Sequence, residues 1–212
     1  MDARLIYCMV FALLLFLAIL LQKKFSIICD TSANTPKTYS YSRLQLLWWT
    51  FIVFASFITI LLASGQVPVF DPSTIILLGI GAATSASARL IDISDQQQYD
   101  AEQARVQAAK AAGATEVPEP KTLNKDFASQ GFWLDILSDR NGVSIHRLQA
   151  VLFNLVFGIW FIYQSVLHLK GVTTQTPATT LNSIIPVIKE YNLVLLGLSA
   201  GTYAVIKTTE NK

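Results

Sequence analysis

Two histidines, two cysteines and a scatter of carboxylates are the side chains with which this chain could ligate a metal, activate a nucleophile or move a proton. Their placement argues against all three. His146 and His168 stand at opposite ends of one apolar run, so they face opposite sides of whatever that run crosses. Cys8 lies inside another apolar run and Cys29 beyond its end, which predicts two free thiols rather than a disulfide. No His, Cys and carboxylate group has metal-ligand spacing. Asp135, Asp139 and Asn141 lack the closely spaced oxygens and terminal Glu of a calcium loop, and a helix cap and turn explain them better. No Gly-Lys-Ser/Thr phosphate loop is present, and no Ser, His and Asp can be placed within reach of one another. The sequence predicts a protein that is not an enzyme, with no catalytic residue, no metal and no cofactor.

Charge is also missing where transport would need it. No Asp, Glu, Lys, Arg or His falls in the central part of any apolar run, whereas ion-coupled transporters mark their pathways with such residues. An uncharged channel stays open, because hydroxyl and backbone groups can line a pore.

The elements that would position any site are membrane helices. Apolar residues make up 52% of the chain and charged residues 14%, a balance foreign to soluble domains. Five runs approach the roughly 20 residues that a bilayer demands: 5–21, 44–63, 73–88, 148–167 and 191–206. The third and fifth have only 16 residues each, about 24 Å of helix. The first run has the length of a signal peptide, but no small-x-small site follows it and Lys23 and Lys24 close it, so a retained helix is expected. Lys23, Lys24, Lys37, Arg43, Arg89, Arg147 and Lys207 cluster on one side of the runs, while 64–72 has no Lys or Arg. That asymmetry predicts a multi-pass membrane protein with its N-terminus outside and its C-terminus in the cytoplasm.

The plan is duplicated. Ser40-Tyr41-Ser42-Arg43-Leu44-Gln45 returns as Ser144-Ile145-His146-Arg147-Leu148-Gln149 at a spacing of 104 residues (144 minus 40). Pro68-Val69 with Leu77-Leu78-Gly79 returns as Pro186-Val187 with Leu195-Leu196-Gly197 at a spacing of 118 (186 minus 68), carrying Arg89 onto Lys207 and Asp92 onto Glu210. The expected fold is an all-α integral membrane protein in which a two-helix unit occurs twice in tandem, both copies pointing the same way about an axis near the membrane normal. An N-terminal helix is added to it. The segments are a transmembrane helix at 1–24, a cytoplasmic linker at 25–39, a first unit at 40–92, a cytoplasmic helical loop at 93–143 and a second unit at 144–210. The 14 residues that the second unit adds (118 minus 104) fall in its outer loop, either as a solvated spacer or as an outward contact.

Within the units, Ser40 or Ser42 is the expected N-cap of the second helix. Arg43 in its first turn opposes the helix dipole, so it serves either lipid phosphate or an ion pair with Asp92 on the same level. Arg147 and Glu210 would form the matching pair. Trp48 and Trp49 suit an interfacial belt, as do Phe132 and Trp133 on a short helix expected within 127–137. Small residues at four-residue spacing, Gly79 with Ala83, Ala82 with Ala86, Gly197 with Gly201 and Ala200 with Ala204, allow close backbone approach in a membrane. They would close a seam within one protomer or between protomers. Thr84, Ser85, Ser87, Ser199 and Thr202 are the residues that would line a polar passage there. The third helix is expected to run on past the membrane through the Gln- and Ala-rich stretch 94–112. Between Leu90 and Arg140 nine acids outnumber five bases, which argues against nucleic acid and for a protein partner.

The chain resembles a family of bacterial multi-pass membrane proteins. The resemblance rests on the two S-x-x-R-L-Q units, on Phe132-Trp133-Leu134-Asp135-Ile136-Leu137-Ser138-Asp139-Arg140-Asn141-Gly142, and on Leu195-Leu196-Gly197-Leu198-Ser199-Ala200-Gly201-Thr202-Tyr203. It covers 40–92 and 131–210, fits the second half better than the first, and implies topology without implying a catalytic residue. The expected function is a homo-oligomeric membrane scaffold or anchor in contact with lipid, whose cytoplasmic loop docks a protein partner. The alternative is an oligomeric ion channel or membrane-disrupting effector.

Overall fold

The computed structural model describes all residues except 1, 33–34, 114–116, 121, 124–125, 140–141 and 210–212. In chain order its helices are α1 (Ala3–Phe25), α2 (Tyr41–Ser64), α3 (Pro72–Ala111), α4 (Phe132–Leu137), α5 (Ile145–His168), α6 (Ala178–Asn182) and α7 (Glu190–Lys207). A two-residue antiparallel ladder, β1 (Ser138–Asp139) on β2 (Gly142–Val143), joins α4 to α5. Four of the helices, α1, α2, α3 and α5, are long and apolar enough to cross a membrane. α7 has 18 residues, starts at Glu190 and ends on Lys207, so its apolar stretch is shorter.

Local chemistry sets the boundaries. Asp71 caps α3 by accepting from Ser73 N at 2.8 Å, and Pro72 occupies the first turn, where its missing N–H costs nothing. Gly65, at φ +72°, ends α2 in the left-handed conformation that glycine adopts without strain. Asp2 caps α1 by accepting from Arg4 N at 3.0 Å.

α2, α3, α7 and α5 form a closed ring of neighbours, each touching the next, and α1 lies outside the ring against α2. The ring is filled by Trp49, Ile52, Val53, Ile60, Leu77, Phe161 and Leu196, all buried. α1 buries only Ala3, Tyr7, Val10 and Ala18, the first three on one helical stripe. Its remaining sides stay open, with Leu5, Leu13 and Phe16 at 60%, 64% and 58% exposure. Apolar exposure on that scale is stable in a lipid phase and costly in water.

The ring has two different ends. At one, the short turn 65–71 meets the long connection between α5 and α7. That connection is no solvated spacer: Leu169, Val172, Leu181, Ile184, Ile185 and Ile188 are buried in the core. Gln66 Nε2 donates to Thr176 O at 3.2 Å, Val69 N to Asn182 Oδ1 at 3.0 Å, and Ile188 N to Ser73 Oγ at 3.2 Å. A Thr-rich composition hid the isoleucines that seat this plug, whose threonine-bearing stretches 173–175 and 177–180 are exposed.

At the other end α3 continues, unbroken, past the ring. Leu77, Gly81, Thr84, Ala88, Asp92 and Asp95 are buried along one stripe. The helix then runs another 16 residues (111 minus 95) to Ala111, about 24 Å. We call this projecting half the arm. The chain returns beside it, with Lys110 Nζ on Glu119 Oε1 at 2.8 Å and both Val106 and Leu123 buried. The Lys110 hydrogen bond, then its charge, hold the Glu119 carboxyl below its ordinary range. A depressed carboxylate contributes stability at neutral pH that is lost as pH falls through the folded value. Lys110→Ala is therefore expected to raise the titration midpoint of the Glu119 carboxyl, followed by NMR, back toward its ordinary range.

Candidate functional site

The polar side chains of the ring gather at two levels. The inner level is built around Asn154 on α5. Its Oδ1 accepts from Trp49 Nε1 at 2.6 Å, its Nδ2 donates to Tyr41 OH and to Ala150 O at 2.8 Å each, and its backbone O accepts from Trp48 Nε1 at 3.0 Å. Ser56 and Ser165 meet at 3.2 Å further along the same α2–α5 contact. A buried amide that satisfies every group around it specifies one register between two apolar helices.

The outer level is a cavity of about 240 Å³ at the arm end. Tyr41 opens α2, Arg147 lies in the first turn of α5, Lys207 ends α7 and Asp92 sits midway along α3, so three helix ends and the middle of α3 converge on it with Tyr39, Tyr203 and Asp135. Lys207 Nζ lies 3.1 Å from Asp92 Oδ1 with both side chains largely buried. The Arg147 guanidinium stands 5.4 Å above the Tyr203 ring, and Tyr203 meets Tyr41 edge to face at 4.9 Å. Asp135 holds the linker: it accepts from Tyr39 N at 3.1 Å, Gln130 N at 2.9 Å and Ser129 Oγ at 2.6 Å. These groups serve one another, as in a clamp. Among the described residues no group of three His, Cys, Asp or Glu could hold a metal, and Cys8 and Cys29 are free thiols.

The charges expected at one level do come together, with different partners. Asp92 is paired with Lys207 of the second hairpin, so the ion pair joins two hairpins, whereas a pair with Arg43, one of the two roles expected for that arginine, would have closed one. The packing of α3 against α7 brings Lys207 to it. Arg43 is half-buried on a neighbouring pocket that Asp92 also lines. Arg147 is buried, and Glu210 lies outside the described residues. Trp48 and Trp49 are not belt residues: Trp49 is 1% exposed and both indoles are held by Asn154. A buried indole needs an acceptor, and Asn154 supplies two. Phe132 packs edge to face on Tyr39 at 5.2 Å, while Trp133 stays exposed. Ser40 is the N-cap of α2 by position, yet its hydroxyl turns to that of Ser42 at 3.3 Å and leaves the first-turn amides without a side-chain cap.

The small residues divide by face. On α3, Gly79, Ala82, Ala83 and Ala86 are all exposed, so that stripe points away from its own ring. The close approach within the hairpin runs instead through Gly81, where a Cβ would lie 3.6 Å from Leu46 Cα. On α7, Ala200 is buried, Gly197 and Ala204 are half-buried, and Gly201 is exposed. The hydroxyl residues form no common lining: Thr84 is buried and donates to Ile80 O at 2.7 Å, Ser199 is buried, Ser85 and Ser87 are half-buried, and Thr202 is exposed. Gly81→Leu is expected to destabilise the protomer by about 1–3 kcal/mol through overpacking, and Gly79→Leu to leave its melting unchanged. Thermal melts of both variants in detergent check this.

Asn154, Lys207, Gly81 and Gly158 are the residues whose importance the sequence understated. A Cβ on Gly158 would stand 2.6 Å from Trp48 Cε2, so this glycine is the recess that seats the indole. A lone Asn in an apolar run was the available signal for Asn154. The chain matches no protein-family model, no curated protein and no solved structure.

Proposed function

We propose that the chain is a non-enzymatic membrane scaffold or anchor of a larger bacterial assembly. It crosses the inner membrane five times, N-terminus outside and C-terminus in the cytoplasm, self-associates, and docks a cytoplasmic protein on its arm. The observation that carries this reading is the arm: α3 passes as one 40-residue helix from the ring to its tip. A helix that spans the ring and projects beyond it transmits position rigidly, which is what an anchor requires. Along the projecting half Gln97, Gln98, Ala101, Glu102, Arg105 and Gln107 are exposed, a polar surface open to a partner.

α7 is the fifth span. Its 18 residues give about 27 Å, and it lies against α3 and α5 between the two ends of the ring. The α2–α3 and α5–α7 hairpins are the two copies of the duplicated unit, in keeping with the multi-pass family the chain resembles. The copies meet through unlike faces: Ser56 bonds Ser165, whose counterpart at the 104-residue spacing is Leu61. The duplication therefore governs the hairpin plan and leaves the contact between units asymmetric.

A channel between protomers is the second reading. The outward stripe Gly79, Ala82, Ala83 and Ala86 favours it, since such stripes mediate close helix contact in membranes. Against a passage through one protomer stand the Trp49, Phe161, Ile52 and Leu196 side chains that fill the ring. A photo-crosslinking residue at Gln97 or Gln107, introduced in living cells, is expected to give one discrete adduct with a second protein. Adducts only with itself, together with selective conductance in liposomes, would favour the channel.

A further inference from the structure

Beside the clamp cavity, and sharing Asp30 and Asp92 with it, a second pocket of about 350 Å³ opens between the α1–α2 linker, the start of α2 and the turns of α3 that precede the arm. Arg43 and Arg89 line it, with Ser42 and Ser85 between them and Asp30 at the linker side. Among the described residues, neither the half-buried guanidinium of Arg43 nor the half-buried carboxylate of Asp30 has a hydrogen-bond or ion-pair partner. Arg89 spends one N–H on Thr31 Oγ1, leaving most of its five donors. The remaining acid, Asp92, is neutralised by Lys207.

The duplicated plan makes the contrast informative. Arg147 and Lys207 occupy the positions in the second unit that Arg43 and Arg89 occupy in the first. There the two cations are served inside the protein, by the Tyr203 ring and by Asp92. In the first unit the same two positions face an open pocket. The start of α2, whose Ser40 does not cap it, adds unpaired amides to the same wall, and such amides favour an anion. Two guanidiniums and free amides match a phosphodiester, which Arg grips through paired N–H groups. A carboxylate across the pocket matches an ammonium held close to that phosphate. Ala86 and Ala82 lie three and seven residues membrane-ward of Arg89 on the same face of α3, both exposed, and they leave a shallow track for an acyl chain.

We propose that this pocket binds a phospholipid with a zwitterionic aminoethyl-phosphate headgroup: Arg43, Arg89 and the α2 amides take the phosphodiester, and Asp30 takes the ammonium. Basic pockets between membrane helices are established headgroup sites; the carboxylate is what selects an amine-bearing lipid here.

The test is native mass spectrometry of the full-length protein in mixed micelles holding equal phosphatidylethanolamine and phosphatidylglycerol. The wild type is expected to retain phosphatidylethanolamine preferentially. Arg43→Gln with Arg89→Gln should lower that retention by about tenfold or more, the scale of losing charged hydrogen bonds. Asp30→Asn should keep lipid binding and abolish the preference between the two headgroups. Arg89→Lys, with an unchanged melting temperature, should recover part of the binding. Equal retention of both lipids by the wild type, or undiminished retention by the double Arg variant, would overturn the proposal. Displacement of the lipid by millimolar inorganic phosphate would overturn the lipid as occupant and identify a soluble anion instead.

Discussion

Asn154→Ala is expected to lower the unfolding free energy by about 2–4 kcal/mol, measured by denaturant titration in mixed micelles. Asn154 is 6% exposed, and its side-chain amide joins α2 to α5 through Trp49 and Tyr41. Truncation leaves the Trp49 N–H buried without an acceptor, which costs more than the bond itself contributed. Interhelical hydrogen bonds in membrane proteins average well under this figure, and the hub exceeds the average because one side chain serves two helices and two aromatic groups. Trp49→Phe removes one of those bonds, so the pair of substitutions should be less costly together than the sum of each alone. Additive losses would mean that the distances describe proximity without coupling.

Lys207→Met should be comparably severe, at about 3–5 kcal/mol. It leaves the Asp92 carboxylate buried without the ammonium 3.1 Å away. Adding Asp92→Asn should restore part of the loss, because part of the penalty is the buried carboxylate deprived of the cation beside it. Arg43→Ala should show no such coupling to Asp92, since the described ion pair of Asp92 runs to α7. Cycles in the same micelles distinguish the two partners directly.

Much of this arrangement is legible in the sequence because it follows from periodicity. The apolar runs become helices, and the helix after Pro72 continues into the arm. What the sequence does not reveal is rotation about each helix axis. Gly79 and Gly81 are both small residues on one helix, and two positions of offset turn one outward and the other onto Leu46. Trp48 and Trp49 read equally well as belt residues or as core, and the choice depends on an acceptor 105 residues away in Asn154. The same reasoning covers Asp92: sequence places it at the level of Arg43, Arg147 and Lys207, and only the packing of α3 on α7 selects its partner. The polar plug at the turn end was obscured by its threonines, although the Ile184-Ile185 and Ile188 triplet carries the burial.

A five-span anchor requires the arm and the residues after α7 to lie on one side of the membrane, and the plug between α5 and α7 on the other. Single cysteines at Gln98, Thr174 and Thr208, on a Cys8→Ser, Cys29→Ser background, can be labelled with a membrane-impermeant thiol reagent in spheroplasts and in inverted vesicles; all three positions are exposed. The predicted result is labelling of Gln98→Cys and Thr208→Cys in inverted vesicles only, and of Thr174→Cys in spheroplasts only. Labelling of Thr208→Cys from the same side as Thr174→Cys would contradict the five-span anchor, because α7 would then not cross.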